Sequence, residues 1–179
     1  RYYFFSLPFD CPITNIKAID NQNNLLTYAE NSTTGDYVIC YYNQELAANN
    51  AGNSTNKAWV EIINPNHILK ANQGYIIGYF GNNNEKITVK FKSNQNQTIT
   101  SPQNKTLDFG DNYSWYTEGN NLSSNGWNLI GYPYYETIQE SSLTNFVTIP
   151  NNDGKTYTQC TYQEALNSNK ITPFCSFFV

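Results

Sequence analysis

Tyr2-Tyr3-Phe4-Phe5-Ser6-Leu7-Pro8-Phe9 lies at the head of the chain, and Trp127-Asn128-Leu129-Ile130-Gly131-Tyr132-Pro133-Tyr134 repeats its pattern in the second half. Aligning Pro8 with Pro133 also brings Ile13 onto Ile138. The Tyr2 to Leu7 run is almost continuously apolar, as in a strand covered on both faces. Pro8 has no N–H to give to a ladder, so it ends that strand.

Two further anchors recur in the same order. Tyr37-Val38-Ile39-Cys40-Tyr41-Tyr42 is matched by Tyr157-Thr158-Gln159-Cys160-Thr161-Tyr162, each followed by Gln-Glu (Gln44-Glu45 and Gln163-Glu164). Leu69-Lys70-Ala71-Asn72-Gln73-Gly74-Tyr75-Ile76-Ile77 is matched by Ile171-Thr172-Pro173-Phe174-Cys175-Ser176-Phe177-Phe178-Val179. The spacing between matched positions shrinks along the chain, as expected if the second copy has shorter surface connections. The largest loss falls on the counterpart of Trp59-Val60-Glu61-Ile62-Ile63. Between the copies Ile87, Val89 and Phe91 alternate with Lys86, Thr88, Lys90 and Lys92, the pattern of a half-exposed strand. Thr98–Thr100 and Thr106–Phe109 are shorter strand candidates. Turn signals separate these runs, including Thr34-Gly35-Asp36, Gly81–Asn84, Gly110–Asn112, Glu118–Asn121 and the hairpin turn Asp153-Gly154. Helix is confined to short pieces at Tyr42–Asn50, Tyr162–Asn169 and near Ser141-Ser142-Leu143. The expected fold is all-β, a β-sandwich or jelly-roll-like arrangement of two diverged copies of one β unit with little helix. Residues 1–92 form the first unit with its following strand. Residues 93–124 connect, and residues 125–179 form the second, shorter unit.

Composition agrees with strands joined by many turns. The chain has 179 residues with 39% hydrophobic and only 13% charged, and Tyr (15) and Phe (10) are abundant. Roughly one residue in six is Asn, which favours turns, while Tyr and Phe favour pleated strands. Net charge is −4 and the isoelectric point is near 4.9. Basic residues are scattered, whereas a phosphate backbone requires them clustered, so nucleic acid is not an expected partner. Lys86, Lys90 and Lys92 read as the guarded edge of a sheet. No apolar run approaches the ~20 residues of a membrane-spanning helix. Both ends of the sequence read as strands, so the chain is expected to belong to a longer parent. Cys11, Cys40, Cys160 and Cys175 include no CxxC pair, which argues against zinc and thioredoxin-type chemistry. Four cysteines allow three pairings, and free buried thiols are the simplest state.

The stretch Asn125-Gly126-Trp127-Asn128-Leu129-Ile130-Gly131-Tyr132-Pro133-Tyr134 resembles a motif of large secreted and cell-surface proteins of Bacteroidetes. In that pattern Gly-Trp-Asn-Leu-(Ile/Val)-Gly-Asn-Pro-Tyr is followed by an Asp-Gly-X-Tyr turn strand and a Pro-X-Gln-Gly-Phe-Phe-Val strand. Asp153-Gly154-Lys155-Thr156-Tyr157 and Pro173-Phe174-Cys175-Ser176-Phe177-Phe178-Val179 occupy those places here, and Ala71-Asn72-Gln73-Gly74-Tyr75-Ile76-Ile77 is similar. This sequence departs at Tyr132 and at Cys175-Ser176, where Asn and Gln-Gly are usual. The resemblance implies a β-rich repeat module of an extracellular or cell-surface bacterial protein and carries no catalytic residues with it.

Little in the chain suggests reaction chemistry. His67 is the single histidine, so a multi-histidine metal site or His-based triad cannot be assembled from this chain. The carboxylates are spread over turns and exposed strand positions. Asp108-Phe109-Gly110-Asp111-Asn112 lacks the spacing of an EF-hand loop. No catalytic residue, metal site or cofactor is assigned. Aromatic faces stack on sugar rings and anchor interfaces. Trp115, Tyr116, Tyr132 and Tyr135, beside Gly- and Asn-rich turns, are therefore the ligand-binding candidates. The expectation is a non-catalytic structural or adhesive module, its partner a glycan or a host or surface protein. The alternatives are a carbohydrate-binding module with an aromatic platform and an accessory β domain of a larger secreted hydrolase.

Overall fold

The computed structural model describes residues 2–29, 34–43, 46, 58–81, 86–94, 129–132, 146–151, 156–168 and 174–178. The chain is mostly β. In order, the strands are β1 (Tyr2–Ser6), β2 (Cys11–Pro12), β3 (Lys17–Ile19), β4 (Leu25–Leu26), β5 (Tyr37–Tyr42), β6 (Trp59–Glu61), β7 (Ile68–Leu69), β8 (Gly74–Tyr79), β9 (Thr88–Lys90), β10 (Leu129–Tyr132), β11 (Phe146–Pro150), β12 (Tyr157–Thr161) and β13 (Cys175–Phe178). Among the described residues a short helix, α1 (Tyr162–Asn167), follows β12, a 3-10 turn covers Ile13–Asn15, and Leu46 is also helical. Among the described residues these strands pair with one another antiparallel, and Tyr28 adds an isolated parallel bridge to Tyr37 of β5.

Two four-stranded sheets dominate, with orders β1-β8-β5-β6 and β10-β13-β11-β12. Numbered within each sheet by chain position, both orders read first, fourth, second, third. The register agrees as well. Ser6 faces Gly74, Phe5 faces Tyr75 and Phe4 faces Ile76 in the first sheet. Gly131 faces Ser176, Ile130 faces Phe177 and Leu129 faces Phe178 in the second. These are the same pairs under the alignment of the first and third anchors.

The second anchor aligns differently. Thr148 of β11 faces Phe178, where Cys40 of β5 faces Ile76. By sheet position β11 therefore stands where β5 stands. β12 then stands where β6 does, with Tyr157 in the place of Trp59. Among the described residues Tyr157–Thr161 thus takes the outer position of its sheet, as β6 does in the first, and not the inner position of β5. The fourth strand, expected to be lost from the second half, is present as β12. The competing signal was the Tyr-X-X-Cys-X-Tyr likeness, which is weaker than sheet position because alternating Tyr and Cys suit many strands.

The first sheet is covered on both faces. Tyr37, Ile39, Tyr75, Ile77, Tyr79 and Leu7 point into the main core with Leu69, Ile62 and Ile13. Val38, Cys40 and Ile76 face the other way, with Phe4 and Trp59 packed on them. This is the period-2 alternation of a pleated strand applied to a sheet with apolar residues on both sides. β1 fits the expected doubly covered strand in its second half only, since Tyr2 and Tyr3 are 49% and 42% exposed. The small sheet β4-β3-β9 lies against the main core through Ala18, Val89 and Phe91. β9 is its edge, and Lys86, Lys90 and Lys92 project to solvent as their alternation predicts.

The β11–β12 hairpin closes with Asn151 N donating to Thr156 O at 2.9 Å. Its turn, Asp153-Gly154, lies outside the described residues, as do Thr98–Thr100, Thr106–Phe109, Ser141–Leu143 and most of Tyr42–Asn50 and 93–124. α1 starts on a capping box. Glu164 N donates to Thr161 Oγ1 at 3.2 Å, and Thr161 N donates to Glu164 Oε2 at 2.9 Å. The Thr161 N–H, and after it the Thr161 hydroxyl donating to Glu164 Oε2 at 3.0 Å, hold the Glu164 carboxyl below its usual value. The glutamate of the second Gln-Glu pair is therefore a helix cap.

Candidate binding surface

The densest set of aromatic rings among the described residues lies between the two large sheets. β1 contributes Phe4, β5 Tyr42 and β6 Trp59. β12 contributes Tyr157 and β13 Phe178. Phe178 touches the other four: Tyr42 at 5.0 Å, Phe4 and Trp59 at 6.0 Å, and Tyr157 at 6.4 Å between ring centroids. Phe4 meets Trp59 and Tyr157 at 5.8 and 6.0 Å, and Tyr42 meets Trp59 at 5.3 Å. The interplanar angles run from 61° to 89°, so every contact is edge-to-face. Edge-to-face pairs add to packing in a core. A stacking platform for a flat sugar face instead needs rings in one plane.

The rim of this cluster is open. Tyr157 is 51% exposed, whereas Phe178 is 7% exposed. Tyr2 lies on the same face of β1 as Phe4, and its ring covers Gly78, where an added Cβ would come within 2.9 Å of Tyr2 Cε1. Burial, then the charge of the neighbouring Tyr157, raises the Tyr42 phenol above its ordinary value, so it stays protonated.

Below the rings the sheets are tied by backbone. Ser6 N donates to Phe174 O at 2.9 Å, and Gly131 N donates to Asn72 O at 3.2 Å. Ser6 Oγ donates to Cys175 O at 2.7 Å, and Ser176 Oγ to Tyr75 O at 3.4 Å. Ser6 and Ser176 are fully buried. The approach is close: a Cβ on Gly131 would lie 2.5 Å from Ser6 Cβ and 2.7 Å from Gln73 O. A Cβ on Gly74 would lie 2.5 Å from Leu129 Cγ and 3.0 Å from Ser176 Cβ.

Of the four sequence candidates, Trp115, Tyr116 and Tyr135 lie outside the described residues. Tyr132 ends β10, its backbone paired with Cys175. The rings of the inter-sheet cluster were not among the candidates. Their signal, large apolar residues on one face of each strand, does not separate a core from a surface in sequence.

The remaining reactive groups are subdued. Desolvation raises the Cys40 thiol to about 12, with the Glu61 charge adding to it, and burial raises Cys11 despite a bond to Lys92 O. Neither is a thiolate at neutral pH, so neither is an activated nucleophile. His67 stacks on Tyr41 at 6.4 Å with an 11° tilt, and burial and then Lys70 hold its imidazole below 6.5. Lys70 Nζ pairs with Asp10 Oδ2 at 2.8 Å on the surface. Among the described residues no three His, Cys, Asp or Glu side chains gather as a metal site would require. Among them, too, no helix is long and apolar enough to cross a membrane, which does not bear on membrane β-barrels. Comparisons with protein-family models, curated proteins and solved structures found no match to this chain.

Proposed function

We propose that the chain is a non-catalytic structural or adhesive module of a bacterial cell-surface or secreted protein, built from two diverged copies of one β unit. The observation that carries this reading is how the rings are used. Phe4, Tyr42, Trp59, Tyr157 and Phe178 pack edge-to-face between two sheets of like order and register. Rings set this way rigidify a spacer and leave its loops to present contacts. The sandwich-like element of the reading rests on the contact of the β1 face with β13 and β12 through these rings. Shaving intact cells of the producing organism with a non-permeating protease tests the location. Peptides of this chain are expected in the released fraction, and protection until lysis would overturn the proposal.

A carbohydrate-binding role is favoured by one feature, the half-exposed Tyr157 and Tyr2 bordering Phe4. Under that reading a glycan array gives a hit that Tyr157→Ala abolishes with the fold intact. Retention of every signal by Tyr157→Ala removes this surface from consideration.

A further inference from the structure

The contact between the two large sheets has a reciprocal form. Under the alignment of the first and third anchors, Ser6 corresponds to Gly131, Gly74 to Ser176 and Asn72 to Phe174. In the structure each residue of the first two pairs meets its own counterpart. Ser6 lies against Gly131, and Gly74 against Ser176. The backbone bonds are reciprocal too: Ser6 N to Phe174 O and Gly131 N to Asn72 O. Asn72 and Phe174 share the same left-handed backbone, each with φ of 65°. Contacts between equivalent residues and exchanged equivalent bonds are what a local two-fold axis produces at a self-complementary interface.

The residues on the axis break that symmetry in a complementary way. The outer strands carry Ser6 in β1 and Gly131 in β10. The second strands carry Gly74 in β8 and Ser176 in β13. Each crossing therefore pairs one serine with one glycine. A serine facing Ser6 would set two Cβ atoms 2.5 Å apart, well inside contact distance. Glycine facing glycine would leave a gap and remove a buried hydroxyl that bonds a carbonyl across the interface.

We infer that this interface is a pseudo-two-fold, heterotypic pairing surface. The β1–β8 face takes as partner a β unit with glycine on its outer strand and serine on its second, and it rejects a second copy of itself. The selection is steric: it builds a clash into the wrong pairing rather than adding affinity to the right one. The inference rests on the duplication in the proposed function and is independent of the location and adhesive role.

Serine and glycine can be exchanged in one unit or both within the full chain. The half-inversions Ser6→Gly/Gly74→Ser and Gly131→Ser/Ser176→Gly each place Ser against Ser and Gly against Gly. Each is expected to lower the thermal midpoint by roughly 5 °C or more. The full inversion of all four restores serine against glycine at both crossings but keeps the contacts of the new Cβ atoms with Gln73 O and Leu129 Cγ, so it is expected to lose clearly less than the two half-inversions combined. A full inversion as unstable as the two half-inversions combined would overturn the inference. Hydrogen exchange on the unaltered chain gives a second test that needs no variant. Ser6 and Gly131 amides are expected to be protected within about threefold of each other, because one opening exposes both. Protection of one amide with free exchange of the other would overturn the reciprocal pairing, whatever the shaving experiment shows.

Discussion

Asn72 and Phe174 adopt the same left-handed backbone, φ 65° in each, and each turns its carbonyl toward the opposite sheet. Asn tolerates that conformation because its short polar side chain bonds locally, whereas a bulky residue is strained there. Phe174 is 38% exposed, so its ring contributes less by burial than a core phenylalanine. Phe174→Asn is expected to raise stability by about 1 kcal/mol, read as a later midpoint in urea with unchanged slope. A loss of stability would mean that the ring's contacts outweigh the backbone strain.

The aromatic cluster predicts unequal costs for its members. Phe178→Ala removes the buried ring that touches the other four, and about 3–5 kcal/mol should be lost. Tyr157→Ala removes a ring half in water, and about 1 kcal/mol is expected. Equal costs would place the centre of the cluster elsewhere.

Thr148 links β11 to β13 by its pairing with Phe178, and its Oγ1 is buried with no hydrogen-bond partner among the described residues. A buried hydroxyl left unsatisfied carries its desolvation cost without return. Thr148→Val should therefore stabilise the chain by about 1 kcal/mol. Destabilisation on denaturant titration would reveal a bond to that oxygen.

The thiols should divide by burial. Iodoacetamide at about pH 8 is expected to modify Cys160 and Cys175 before Cys11 and Cys40, which react on the timescale of unfolding. Cys40 labelled as fast as Cys160 would contradict the desolvation that raises it to about 12.

His67 sets a pH dependence. Its folded-state pKa lies below the ordinary 6.5, so the unfolded chain binds the proton more readily. Stability contributed by the neutral ring is full above that value and falls as pH drops through it. Urea midpoints between about pH 7.5 and pH 5.5 should decline for the parent and stay flatter for His67→Gln. An equal slope in both would remove His67 as the cause.

Much of the β framework is legible in the sequence where one face differs from the other. The alternation from Lys86 to Lys92 marks a guarded edge because burial there is one-sided. The Tyr162–Asn169 segment reads as helix, and Thr161-X-X-Glu164 supplies its cap. The likeness of Tyr2–Phe9 to Trp127–Tyr134, taken with the third anchor, sets the pairs of β10 with β13 at positions matching those of β1 with β8, but which strands pair is not legible in the sequence. β11 is not legible, because Phe146-Val147-Thr148-Ile149-Pro150 has no alternation and ends on proline. The two-residue strands β2, β4 and β7 are too short for any period to register. The aromatic cluster escapes for another reason. Its rings come from five strands distant in sequence, and only tertiary packing brings them together.

Among the described residues a single register pair, Thr148 with Phe178, joins β11 to β13, whereas five pairs join β5 to β8. The β11–β12 hairpin is thus the slack in the molecule. Under tension it should peel away first and yield a short length of chain at low force, sparing the first sheet until larger loads. A force–extension trace should then begin with one small early step, and a single all-or-none rupture would be the contrary outcome.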